Sequence, residues 1–323
     1  MSLQYQDAGE LSSAPREAAQ GDTHTWGLSR VIAELRRSRE ETHKIRHRGS
    51  VREIPSREAI AAILEGLSAA LFPTHYGQTD LSDESIDYFV GNTLNTTLNA
   101  LVRQVRRALL FVSKQAGGED AGHEGEERLH AQAVDITRRF AAELKPIRDL
   151  LVSDLQAAYQ GDPAATSMSE ILLCYPGMTA IIYHRFAHVL YCLDAPFLAR
   201  LISRIAHSST GIDIHPGAQI GSHFFIDHGT GVVIGETAVI GSHVRLYQAV
   251  TLGAKRFPAD ENGVLIKGNA RHPIVEDDVV IYAGATILGR IVIGKGSTIG
   301  GNVWLTQSVP PGSNVTQAQS RSN

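Results

Sequence analysis

Apolar residues recur along this chain with two different periods, and the switch between them divides it. Residues 1–24 are polar and aperiodic, the pattern of a loose tail. From Trp26 to about His207 the spacing is helical. Ile60, Ile63, Leu64, Leu67 and Leu71 recur behind Pro55, which suits the first turn of a helix. Ile86, Phe89, Val90, Leu94, Leu98, Leu101, Val102, Val105 and Leu109 line one stripe of a longer helix, with Ser82 as its cap. The acidic, glycine-rich stretch 116–127 predicts a loop. Leu129, Ala133, Ile136 and Phe140 restart the helical spacing, and Pro146, Gly161-Asp162-Pro163 and Ala195-Pro196 punctuate further helices. Residues 25–206 are therefore expected to form an all-helical domain.

After Ser208 the period becomes six. Ile214, Ile220 and Ile226 are six apart, then Ile234, Ile240, Leu246 and Leu252, then Val275, Ile281, Ile287, Ile293, Ile299 and Leu305. Four positions after most of these anchors stands a small or β-branched residue (Ala218, Ala238, Val250, Ala285), with Phe224 the bulky exception. Such a hexapeptide repeat predicts a left-handed parallel β-helix, three hexapeptides to a triangular coil, with the anchors pointing inward. Ordinary short strands would need a two-residue period and hairpin turns, which are missing. The expected fold is α + β: a helical domain, a β-helix over 207–312 with an excursion at 253–274, and a tail at 313–323.

Composition narrows the class without naming a chemistry. The chain has 323 residues, 43% apolar and 20% charged, with a net charge of -4, as for an ordinary soluble two-domain protein. That balance gives no global attraction for nucleic acid or anionic lipid. The two cysteines, Cys174 and Cys192, form neither a disulfide framework nor a metal motif. No apolar run reads as a signal peptide or a membrane span, so a reducing, cytoplasmic setting is expected. Of 30 glycines, 17 fall in the last 117 residues, where a six-residue period demands turns.

The repeat breaks register twice, and packing alone does not require a break. Between Ile226 and Ile234 the step is eight residues, around Asp227-His228-Gly229-Thr230-Gly231. His228 stands there between glycine-rich turns, and a histidine is a good general base for a hydroxyl nucleophile when a carboxylate fixes its tautomer. Asp213, 15 residues earlier and close to one coil away, and Asp227, next in sequence, are the candidates. Between Leu252 and Val275 the chain leaves the prism with Lys255, Arg256, Lys267, Arg271 and His272. Arg271 offers a fork for a carboxylate. The alternative that His228 merely caps a turn stays open. So does a metal reading, in which His223 and His228, five apart, are two of three zinc ligands and His215, His243 or His272 the third. His184 and His188, at i,i+4, read as helix-surface histidines.

The segments Gly211-Ile-Asp-Ile-His-Pro-Gly-Ala-Gln-Ile-Gly221 and Ile226-Asp-His-Gly-Thr-Gly-Val-Val-Ile-Gly-Glu-Thr-Ala238 closely resemble bacterial serine acetyltransferases. So do Gln248-Ala-Val-Thr-Leu-Gly253, Arg271-His-Pro273 and Ile287-Leu-Gly289, and the likeness runs from about Ala157 to Pro311. The resemblance implies that acetyl-CoA and L-serine give O-acetyl-L-serine and CoA, in cysteine biosynthesis. It makes His228 the general base and Asp213 the carboxylate that orients it. Arg271 and His272 would hold the serine carboxylate, and Asp227 and Asp162 its ammonium. Backbone near Gly253, Ala283 and Gly301 would line the CoA groove, and no metal is expected. The resemblance further implies a homotrimer with each site between two prisms, with a hexamer of two trimers built through residues 1–150 left open, and feedback inhibition by L-cysteine. Members that dock on O-acetylserine sulfhydrylase usually end in isoleucine; with Asn323 last, that partnership is in doubt. The excursion after Leu252 is several residues longer than in short enterobacterial-type members. Another small-molecule O-acetyltransferase of the same superfamily, a zinc-dependent γ-type carbonic anhydrase and a non-enzymatic trimeric scaffold are the competing readings.

Overall fold

The computed structural model describes residues 26, 28–41, 46–47, 50–51, 53–115, 123–256, 260–261, 263–264, 266 and 268–317. The expected tail at 1–24, Lys267 and Asn323 lie outside the described residues. The chain divides into two compact units between Arg52 and Glu53. The described part of the first holds α1 (Leu28–Glu41) and an antiparallel pair, β1 (Arg46–His47) with β2 (Ser50–Val51). Leu28, Val31, Ile32 and Leu35 form an exposed stripe along α1.

The second unit begins with helices: α2 (Arg57–Leu71), α3 (Pro73–Tyr76), α4 (Ile86–Gln115), α5 (His123–Ala142), α6 (Leu144–Gly161), α7 (Met168–Cys174), α8 (Pro176–Cys192) and α9 (Pro196–Thr210). Local chemistry sets their starts. Pro55 lies just before α2 rather than in its first turn, and Ser56 caps the helix, its hydroxyl accepting the Ala59 N–H at 3.2 Å. Proline opens α3, α8 and α9, where its missing N–H has no intrahelical partner to lose. Of the loop expected over 116–127, residues 116–122 lie outside the described residues and the rest is helical, since α5 starts at His123. Glu126 in its first turns pairs with Arg106 of α4 at 3.6 Å. Among the described residues no helix is long and apolar enough to cross a membrane.

The repeat then winds a three-faced parallel prism. Its strands are β3 (Asp213–Ile214), β4 (Gln219–Ile220), β5 (Phe225–Ile226), β6 (Val233–Ile234), β7 (Val239–Ile240), β8 (Arg245–Leu246), β9 (Thr251–Gly253), β10 (Ile274–Val275), β11 (Val280–Ile281), β12 (Thr286–Leu288), β13 (Val292–Ile293), β14 (Thr298–Ile299), β15 (Trp304–Leu305) and β16 (Asn314–Val315). Face 1 stacks β3, β6, β9, β12 and β15; face 2 stacks β4, β7, β10 and β13; face 3 stacks β5, β8, β11, β14 and β16. The six-residue anchors pair in register: Ile214, Ile234, Leu252, Ile287 and Leu305 on face 1, and Ile226, Leu246, Ile281 and Ile299 on face 3. The excursion leaves between β9 and β10 without disturbing the stack, since β10 still pairs with β7. The repeat count ends the prism at 312, but one more strand, β16, pairs with β14. Phe224 is fully buried in the first coil, where α6 and α8 pack against β5, the edge strand of face 3.

One continuous apolar core runs from α2 through α6, α8 and α9 into the prism. At its junction lies a buried ion pair. Arg185 of α8 reaches Asp154 of α6 at 3.0 Å, both side chains at most 5% exposed. Arg185 also donates to the carbonyls of Ile220 and Gly221 at 2.5 and 2.6 Å, and Asp154 Oδ1 accepts the Phe224 N–H at 2.8 Å. Burial pushes the Asp154 carboxyl up to about 6, against the pull of Arg185. The two groups fix the first coil to the helices.

The expectation of surface histidines on α8 fails for His184, which is 4% exposed. The helix is covered nearly all round, with Met178, Ile181, Ile182, Arg185, Phe186 and Leu190 all buried. Burial holds His184 well below its usual pKa, and it holds His215 and His272 to about 4. All three are neutral in the fold and charged in the unfolded chain between about pH 4 and 6.5, so acidification through that window favours unfolding. Asp154 acts oppositely: raised to about 6 from 3.8, it binds its proton first in the fold, and acidification relieves its buried charge. His223 is lowered by burial in the same way; with four histidines against one aspartate, the urea midpoint is expected to be lower at pH 5 than at pH 7, and a higher midpoint at pH 5 would contradict this balance.

Candidate active site

His228 stands where face 3 turns into face 1. Strand β5 ends at Ile226, and the two extra residues of the eight-residue step let the chain bulge before β6. His228 takes a left-handed φ of 57°, followed by Gly229 and Gly231 at 86° and 81°. The loop is pinned by Gly231 N–H to Gly211 O at 2.9 Å and by Ala249 N–H to Thr230 O at 2.9 Å. The imidazole itself is 72% exposed, and its Nδ1 lies 3.6 Å from Asp227 Oδ1. A turn rigid in its backbone and open at its side chain suits a group that must reach a substrate proton.

Asp162 ends α6 and joins this edge. Its Oδ1 accepts the Ala164 N–H at 2.8 Å and its Oδ2 the Tyr175 hydroxyl at 2.5 Å. These two bonds, Tyr175 first, hold its carboxyl below the usual range, and the charges of His228 and Arg245 act in the same direction. Asp162, Asp227 and His228 thus form one electrostatic cluster. Asp213 is placed differently from its sequence expectation. It lies on β3, beside Val233 of β6 in register, but its Oδ2 pairs with Arg204 of α9 at 3.1 Å and lies 3.9 Å from His207 Nδ1. The carboxylate that lies 3.6 Å from the His228 ring is that of Asp227. Packing of α9 onto β3 brings Arg204 close enough to claim the Asp213 carboxylate.

Arg271 and His272 stand on a different edge, where face 1 turns into face 2. Their socket is the Gly235-Glu236-Thr237 turn of the coil below. Arg271 donates to Glu236 Oε2 at 2.6 Å, and Tyr191 of α8 holds Oε1 at 3.2 Å. Thr237 Oγ1 accepts the backbone N–H groups of Arg271 and His272 at 2.9 and 3.1 Å, while the Thr237 N–H donates to His272 Nδ1 at 3.0 Å. A β-carbon on residue 235 would stand 2.0 Å from the His272 ring, so only glycine leaves room for it. Burial raises the Glu236 carboxyl, but the hydrogen bond and charge of Arg271, with the hydrogen bond from Tyr191, outweigh it and leave it low. The socket escapes sequence reading because its partners are 35 residues apart and the turn follows the ordinary repeat.

Beside Arg271 a cleft of about 410 Å³ is lined by Lys255, Arg256, Arg290, Leu288 and Ile291. Arg290 Nη1 donates to the carbonyls of Thr237 and His272, at 2.6 and 3.0 Å. Gly253 pairs with Leu288 at the border of this cleft. Ala283 and Gly301 lie instead on the His228 edge, in successive coils, with the Asn302 N–H donating to Ala283 O at 2.9 Å. His223 and His228 flank opposite ends of β5 and do not converge within one chain; the His223 ring stacks on His243 at 4.2 Å. Among the described residues no group of three or more His, Cys, Asp or Glu is placed to hold a metal.

The model of the bacterial transferase hexapeptide family (six repeats) matches residues 272–307. The plasmid serine acetyltransferase of Synechococcus elongatus is 55% identical over 316 residues, 97% of this chain and 98% of its own. The Bacillus subtilis serine acetyltransferase is 46% identical over 172 residues, 53% of this chain and 75% of its own. Among solved structures, Entamoeba histolytica serine acetyltransferase 1 in complex with L-cysteine superposes with a TM-score of 0.65 at 38% identity, over 79% of this chain and 86% of that one. The prism is the left-handed β-helix of these proteins. Near-complete coverage by a relative at 55% identity extends the likeness through the helical half as well as the prism, and the chain belongs to the serine acetyltransferase family.

Proposed function

We propose that this chain transfers the acetyl group of acetyl-CoA to the hydroxyl of L-serine. His228 takes the hydroxyl proton as that oxygen attacks the thioester carbonyl. The tetrahedral intermediate then expels the CoA sulfur, which leaves with the proton from His228, giving O-acetyl-L-serine and CoA. Asp162 and Asp227 bind the ammonium group, and Arg271 and His272 the carboxylate. The observation that carries the reading is the exposed His228 turn with Asp227 and Asp162 beside it, two anions and a base where a hydroxy-amino acid presents a cation and a hydroxyl. The L-cysteine bound to the Entamoeba relative supports it, since cysteine differs from serine only in sulfur for oxygen. Feedback inhibition by cysteine at the same site follows. Four cations around the cleft, Lys255, Arg256, Arg271 and Arg290, favour a ligand carrying phosphates, as CoA does. Ala283 and Gly301 line its path along the His228 edge, and Gly253 its other wall. Identifying O-acetyl-L-serine by mass spectrometry after incubation with both substrates tests the reaction; an unmodified serine pool would overturn it.

The same reading requires more than one chain. His228 and Arg271 stand on opposite edges of face 1, and a six-residue side spans up to about 20 Å, too far for one serine to bridge. A homotrimer that sets the His228 edge of one prism against the Arg271 edge of the next brings them together. Arg271→Ala is expected to raise KM for serine by about 10- to 100-fold, the worth of a charge-assisted hydrogen bond. Mixing and reassembling Arg271→Ala with His228→Ala chains is expected to regain activity, because some sites then hold both native residues. An unchanged serine KM contradicts the role of Arg271, and no regain contradicts a site shared between chains.

A further inference from the structure

Two helices meet the His228 edge from separate anchorages on β5. Helix α6 grips the start of the strand, where Ser153 Oγ accepts the His223 N–H at 3.1 Å and Asp154 the Phe224 N–H at 2.8 Å. Helix α8 is seated at the end of the strand. A β-carbon on Gly177 would lie 2.2 Å from the Ile226 carbonyl oxygen, so the helix backbone rests directly on the residue that precedes Asp227 and His228. Asp162 is the last-turn cap of the first helix and Tyr175 the residue that opens the second. The hydrogen bond from the Tyr175 hydroxyl to Asp162 Oδ2, at 2.5 Å, is therefore a strut between the two helix ends, closed at the edge where His228 projects.

Asp162 needs such a strut. It follows the end of a helix and precedes Pro163 in a half-exposed turn, so its side chain has rotamer freedom to lose when it binds a cation. Ala164 N–H fixes one oxygen and Tyr175 the other, each leaving a lone pair for an ammonium group. The Tyr175 ring is itself packed against the shared core, so its hydroxyl is a fixed point. The charge of Asp227 is felt at the Tyr175 hydroxyl and that of His228 at Asp162, which places the strut within the electrostatic cluster.

We propose that Tyr175 is a positioning residue for substrate recognition, its hydroxyl holding Asp162 so that the carboxylate is pre-set to receive the ammonium group of the amino-acid acceptor. This rests on the reading of Asp162 given under the proposed function. The test is Tyr175→Phe, which keeps the packed ring, assayed with L-serine and with 3-hydroxypropionate, an acceptor that has the hydroxyl and carboxylate but no ammonium; Asp162→Asn is measured in parallel. Tyr175→Phe is expected to raise KM for serine about tenfold, with kcat within about threefold, the scale of one lost charge-assisted hydrogen bond and one freed rotamer. Its preference for serine over 3-hydroxypropionate should fall by the same factor, with the melting transition as in the native enzyme. If Asp162→Asn raises the serine KM and Tyr175→Phe does not, the strut has no role in binding and the proposal fails. Equal losses with both acceptors, or a loss in kcat alone, also overturn it, since the effect would not pass through the ammonium. If Asp162→Asn leaves the serine KM unchanged in an active enzyme, the underlying assignment of Asp162 fails, and the positioning role with it.

Discussion

Replacing His228 by alanine is expected to lower kcat by a factor on the order of 100 or more, the usual size of a general-base contribution. The side chain is 72% exposed and its turn is pinned by backbone hydrogen bonds of its neighbours, so the loss should come without a change in melting temperature. KM for acetyl-CoA should change little, because the path proposed for CoA runs along backbone groups of that edge and the basic cleft rather than over the imidazole. The same assay decides which carboxylate serves the base. Asp227 makes the contact with His228 in this structure, whereas Asp213 is engaged by Arg204. The orienting group is the one whose asparagine variant lowers kcat while the serine KM stays put. An unaltered kcat in His228→Ala would remove the base from the mechanism.

The largest effect on stability is expected at the junction of helices and prism. Asp154→Ala should cost about 3–5 kcal/mol, the price of leaving a buried guanidinium without its partner. Arg185 would remain bound to the carbonyls of Ile220 and Gly221, while the Phe224 N–H would lose its acceptor. Replacing both partners by leucine should recover only part of the loss, since three backbone groups of the first coil would then stand unpaired. Chemical denaturation measures both variants. A change below about 1 kcal/mol for Asp154→Ala would mean that water reaches the pair and that the junction is held by apolar packing alone.

The prism was legible because its physics is local and periodic. Each anchor is chosen by the same inward environment every six residues, and all thirteen fall in the register that the spacing predicts. The His228 bulge was legible for the converse reason, as a departure from that spacing which packing does not ask for. What stayed hidden depends on pairs that the chain brings together late. Nothing near Glu236 or Thr237 marks them as the socket of Arg271 and His272. The i,i+4 spacing of His184 and His188 describes one helix face, but which faces of α8 are covered is decided by the elements on both sides of it. Counting sets Asp213 about one coil from His228, but its carboxylate goes to Arg204 because α9 packs there, a contact that no spacing encodes. Tyr175 is hidden for a similar reason: in sequence it is only the residue before a proline-opened helix.

The central claim is that the hydroxyl acceptor is L-serine. Its most direct measurement is the release of free thiol from acetyl-CoA with L-serine and, in parallel, with a panel of sugars and other small hydroxyl compounds. L-serine is expected to give by far the highest kcat/KM, with release abolished in His228→Ala. Thiol release with sugars alone, or with none of the acceptors, would contradict the account.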